Sequence, residues 1–115
     1  MNNYVLRCGH YTYEVDREAE QLLKAVIYWN WEHKLCKEEY LAAQKYREQY
    51  SDTEFAELER AYNQACETVR ARMIDMDKMD IPNWVGNGAL YWGETHDLRR
   101  EYLGNFFTQS VYATK

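Results

Sequence analysis

Four short constellations in this chain carry residue types that do chemistry. Cys8-Gly9-His10 sets a thiol beside an imidazole. Nucleophilic catalysis there needs a held Cys–His contact and an oxyanion site, and no nearby residue supplies the second. His33 and Cys36 stand three apart, one helical turn, and Cys66 lies on the next helical stretch. Three such ligands suit zinc, but no fourth accompanies them, so buried thiols and a hydrogen-bonded core histidine are the expected roles. His96-Asp97 fits the first turn of a helix better than half of a triad. Asp75-x-Asp77-x-x-Asp80 invites calcium, yet it lacks the central glycine and terminal glutamate of an EF-hand loop. The sequence therefore predicts no catalytic residues, no metal and no cofactor.

The three cysteines are an odd number without close-spaced pairs, which points to free thiols in a reducing compartment and a cytoplasmic protein. A Cys36–Cys66 disulfide is conceivable by geometry and disfavoured by that compartment. The net charge of −5 argues against a general phosphate binder, so direct nucleic-acid binding is not expected. Apolar runs are only a few residues long, too short to span a membrane, and Met1-Asn2-Asn3-Tyr4 does not resemble a secretory signal. At 115 residues with 46% hydrophobic content, the chain reads as one domain over 1–115. Aromatic residues reach 16%, with eleven Tyr and four Trp, types that suit half-buried and interface positions.

These residues need elements to position them. Residues 4–15 predict a β-hairpin, with β-prone runs at 4–8 and 11–15 around Gly9-His10. Asp16 is a good helix N-cap. From 17 to about 50 there is no Gly or Pro, and a 3-4 spacing runs through Ala19, Leu22, Val26, Trp29, His33, Cys36, Tyr40, Ala43, Arg47 and Tyr50. Ser51-Asp52-Thr53-Glu54 has the form of a capping box that starts a second helix over 52–79. Its seam is Phe55, Leu58, Tyr62, Ala65, Val69, Arg72, Met76 and Met79. Two seams joined by a tight connection predict an antiparallel helical hairpin in which Tyr40 faces Tyr62 and Cys36 lies near Cys66. Trp29 belongs to the seam. Tyr28, Trp31, Leu35, Ala42 and Tyr46 form a second stripe that some other surface must cover.

Ile81-Pro82 ends the second helix. Residues 83–93 hold three of the five glycines and read as a loop, with a short strand at 89–92. Trp84 and Trp92 within it make either an adaptable recognition loop or a lid folded back over the Trp31 stripe. The lid is preferred, because two water-exposed tryptophans invite aggregation. Thr95 would cap a short helix through Leu103, and 106–113 would form a last strand beside the hairpin. The fold class expected is α+β, mainly α.

Charge is uneven along the chain. Residues 52–80 carry eight acids against four bases, −4, whereas 16–50 carry seven against six, −1. The run 75–80 interleaves carboxylates with methionines at a helix end, where acids oppose the helix dipole. A solvated helix end is the simpler explanation; a docking surface for a basic partner is the functional one. The preferred function is a non-enzymatic inhibitor or adaptor bound to a basic protein surface. Its candidate contacts are Tyr28, Trp31, Tyr46, Glu67, Asp75, Asp77, Asp80, Trp84 and Trp92. Small acidic proteins of phages and mobile elements that block nucleic-acid-handling enzymes, CRISPR effectors included, are an analogy of size and charge. The alternatives are a homo-oligomeric helical module, dimerising through the Tyr28 stripe, and an enzyme with scattered catalytic residues.

Overall fold

The computed structural model describes residues 4–109 and the backbone of 113–114. It is α+β and mainly helical, as the sequence predicts. Strands β1 (Tyr4–Cys8) and β2 (Tyr11–Val15) pair antiparallel, with Cys8 opposite Tyr11 and Tyr4 opposite Val15. Gly9 takes the turn's first position with φ +62°, the arrangement of a type II′ turn, which a side chain there would strain. Residues directly opposite share a face, so Leu6, Tyr13, Tyr4 and Val15 point together. Leu6 and Val15 are fully buried.

Asp16 caps α1 (Arg17–Lys45) by accepting from Ala19 N at 2.8 Å. The helix stops five residues short of the expected end, and Arg47–Gln49 tighten into a 3-10 turn. The capping box forms as read: Ser51 Oγ accepts from Glu54 N at 3.1 Å, and Glu54 Oε1 accepts from Ser51 N at 3.2 Å. This starts α2 (Asp52–Lys78). Arg47 braces the junction, with Asp52 at 2.6 Å and the Phe55 ring 4.4 Å from the guanidinium. The seam between the helices follows the 3-4 spacing. Tyr40 stacks on Tyr62 with centroids 5.5 Å apart, Tyr62 stacks on His33 at 5.3 Å, and Ala43 and Ala65 are buried between.

The C-terminal third departs from expectation. Residues 83–93 are not a loop and hold no strand; they belong to a third helix, α3 (Asn83–Thr95). Thr95 ends that helix rather than capping another, and residues 96–102 form bends and turns. Glycine lowers helix propensity, but here it permits close approach to other helices, and tertiary packing decides the conformation. A Cβ on Gly93 would meet Ile27 O at 2.6 Å, so α3 lies directly on the α1 backbone. Asn30, buried, donates to Leu90 O at 2.7 Å and locks the two helices together. The expected strand over 106–113 is mostly something else: Phe106–Gln109 is a helical turn, α4, and β3 is only Ala113–Thr114, antiparallel to β1. Residues 110–112 lie outside the described residues. Phe106 and Phe107 are fully buried, which a turn of helix achieves and an alternating half-exposed strand would not.

The core gathers at one end of the hairpin. Leu23, Val26 and Ile27 of α1, Met76 of α2, Val85 and Ala89 of α3, the sheet's Leu6 and Val15, and the two phenylalanines form one cluster. The other end of the hairpin projects from it, giving extents of 52 × 29 × 25 Å.

Candidate functional site

The chemical constellations resolve first. Cys8 is half-buried and His10 exposed, and no hydrogen bond joins them among the described residues. His33 Nε2 lies 3.2 Å from Cys66 Sγ across the hairpin seam. Cys36, one turn further along α1, is a free thiol. Burial, then the neighbouring Lys37, lowers the His33 pKa, with Glu94 opposing them; burial, then Glu32 and Glu39, raises the Cys36 thiol. The imidazole is thus neutral at neutral pH, able to share a proton with the Cys66 thiol in either direction. No cluster of three His, Cys, Asp or Glu side chains suited to a metal occurs among the described residues. His96 lies flat on Trp92, centroids 3.5 Å apart, while Asp97 pairs with Arg99 at 2.9 Å, so the two neighbours serve separate contacts.

The aromatic candidates divide by depth. Trp92 is buried against Phe106 and His96 and belongs to the core. Trp84 is half-buried at the edge of that core. The body that reaches the second stripe of α1 is α3, whose Gly93 sits against the backbone of Trp31 and leaves that ring half-buried. Tyr28 remains 40% exposed, its ring edge-on to Trp29 at 5.4 Å and tilted to Trp31 at 6.3 Å. The charge of the Glu32 carboxylate, then burial, then a hydrogen bond to Glu32 raise the Tyr28 hydroxyl's pKa. Tyr46, 46% exposed, lies at the far end of the same helix, under Lys45. Tyr28 and Tyr46 are therefore surface aromatics about 18 residues apart, roughly 27 Å of helix.

The acidic candidates lie along α2 and just past its end. Glu67, Asp77 and Asp80 are exposed and make no ion pair among the described residues. Asp75 is half-buried and partly neutralised by Arg72 at 3.3 Å. Asp80 has φ +56°, with its N–H bonded to Asp77 O and that of Ile81 bonded to Met76 O. That is a Schellman end with an aspartate where glycine is usual. Beside it a cleft of about 160 Å³ opens between α2 and α3, lined among others by Met73, Met76, Asp77, Pro82, Gly86 and Leu90. The sequence singled out Asp77 but not Met73, Gly86 or Leu90, because the cleft exists only once 83–95 is helical.

No helix among the described residues is long and apolar enough to cross a membrane. Comparison with protein-family models, curated proteins and solved structures returns no match. What the fold and surface define is a helical hairpin with a small sheet at its base and unpaired carboxylates along its second helix.

Proposed function

We propose that this protein is a non-enzymatic binding module, an inhibitor or adaptor that docks on a basic surface of another protein. The observation that carries the proposal is the set of exposed carboxylates Glu57, Glu67 and Asp77 on α2 and Asp80 just past its end, without ion-pair partners among the described residues. The absence of ion pairing within the chain leaves such charges free to meet lysine and arginine of a partner, which adds association rate and selectivity. A nucleic-acid-handling enzyme fits the partner's chemistry, since its substrate groove is basic and an acidic protein can occupy it. Free thiols favour work in a reducing compartment such as the cytoplasm.

The test is capture of a stoichiometric partner at low salt, repeated with salt and with Glu67→Lys. The partner is expected to dissociate as ionic strength rises and to bind the charge-reversed variant less well. A complex indifferent to both counts against the proposal.

The exposed Tyr28 and Tyr46 favour a second reading, a homodimer formed along α1. Sedimentation as a monomer at micromolar concentration removes it.

A further inference from the structure

We propose that the cleft between the end of α2 and the start of α3 is an anchor site for an aliphatic side chain carried on a basic amphipathic helix. This rests on the reading of the protein as a module for basic partners, and it names where and what it grips.

The cleft is lined by apolar side chains together with Asn83, Asn87 and one carboxylate, Asp77, and Asp80 follows at the exposed end of the helix nearby in sequence. Met76, Ile81, Pro82 and Leu90 contribute the apolar lining, and Met73 and Asp77 stand on the α2 side. A Cβ on Gly86 would stand 3.2 Å from Met76 Cε and 3.3 Å from its Sδ, so the glycine lets the thioether lie close against α3. Thioethers are flexible and polarizable, and surfaces built from them repack around varied aliphatic anchors. Met73, at the cleft, is 40% exposed, and Ile74, the next residue on the helix, 55%. A volume of about 160 Å³ admits one side chain rather than a ligand, which suits a single anchor from a longer element.

Charge selects the occupant. Asp77 and Asp80 are unpaired, Asp75 is matched by Arg72, and Lys78 is the opposing free cation among the described residues of this helix end. A helix that sets an apolar anchor in the cleft brings its flanking polar residues over this helix end, and lysine or arginine is favoured there. A second copy of the chain is a poor occupant, because residues 16–50 and 52–80 carry −1 and −4 and would bring like charge to this helix end. The cost already borne at Asp80, a non-glycine residue with positive φ and an acid at a helix C-terminus, fits a carboxylate retained for a use other than local stability.

The experiment measures binding of a labelled helical peptide of about 18 leucine and lysine residues in amphipathic order, and of a scrambled peptide of equal composition, at about 50 mM salt. The whole chain is used, with Met73→Ser and Asp77→Lys, both at exposed positions, and unchanged circular dichroism confirms that each variant folds. The amphipathic peptide is expected to bind at least about tenfold tighter than the scrambled one, and each substitution to weaken it by about tenfold. Equal binding of the two peptides, or unaltered binding by both variants, overturns the cleft as the site while leaving the basic-partner reading standing. Failure of both peptides to bind overturns the two together. Self-association lost in Met73→Ser replaces the proposed occupant with a second copy, and also overturns it.

Discussion

At the scale of single residues, the His33–Cys66 contact is the chemistry most precisely placed. The imidazole is faced by Cys66 and the Tyr62 ring from α2, by Lys37 on its own helix and by Glu94 from α3. Burial holds its pKa below the ordinary value of 6.5. Between those two pH values the unfolded chain binds more protons than the folded one, so stability rises with pH there. The contribution is complete above the unfolded value and is lost as pH falls through the folded one. Urea unfolding at pH values on either side of 6.5 is expected to show a larger loss for the natural chain than for His33→Gln. Equal losses would mean that carboxylates alone set the acid limb. The spacing of His33 on the seam was legible from sequence, but its partner was not. The register read from periodicity holds where Tyr40 stacks on Tyr62, and periodicity does not say which neighbouring side chains of that register make contact.

At the scale of elements, local signals predicted starts better than ends. Asp16, the Gly9 turn and the Ser51 capping box all operate within four residues of sequence, and each forms as read. The end of α2 is different. Asp80 adopts a left-handed backbone conformation, which costs a side chain roughly 1 kcal/mol, and its charge opposes the helix dipole. Asp80→Gly is therefore expected to raise stability by about 0.5–1 kcal/mol, read as a higher denaturation midpoint with an unchanged slope. An unchanged or lower midpoint would show that the carboxylate has a stabilising partner in the folded chain. In helix α3 the frequency of glycine masks its helical placement. Gly86, Ala89 and Gly93 recur at helical spacing, which is the pattern of a face in close contact, and Gly86 and Gly93 each sit against another helix.

At the scale of the whole molecule, the hairpin is supported unevenly. Its base is enclosed by α3, the sheet and the phenylalanines, whereas beyond Cys36 on α1 and before Ala65 on α2 the helices have chiefly each other. The radius of gyration is 16.3 Å, above the roughly 13 Å of a compact chain this long. Amide hydrogen exchange is expected to be faster in residues 37–45 and 52–64 than in 19–30 and 84–92, since the outer arm opens without breaching the core. Uniform protection along α1 would contradict this and point to a covering partner, such as a second copy. The elongated arm also keeps Tyr46 and the cleft beside Asp77 at separate places, so a partner that covers both must be extended.

The sequence by itself determined the helical hairpin, its capping and its aromatic seam, because periodicity and caps act between neighbours in the chain. It also placed the carboxylates on the second helix. It did not determine what residues 83–109 become, because their conformation depends on the α1 backbone at Ile27 and Trp31 and on the side chain of Met76. The contacts with α1 bridge residues some 60 positions apart, as Asn30 to Leu90 shows. Tertiary structure alone therefore put Trp92 in the core, left Tyr28 at the surface and opened the cleft beside Asp77.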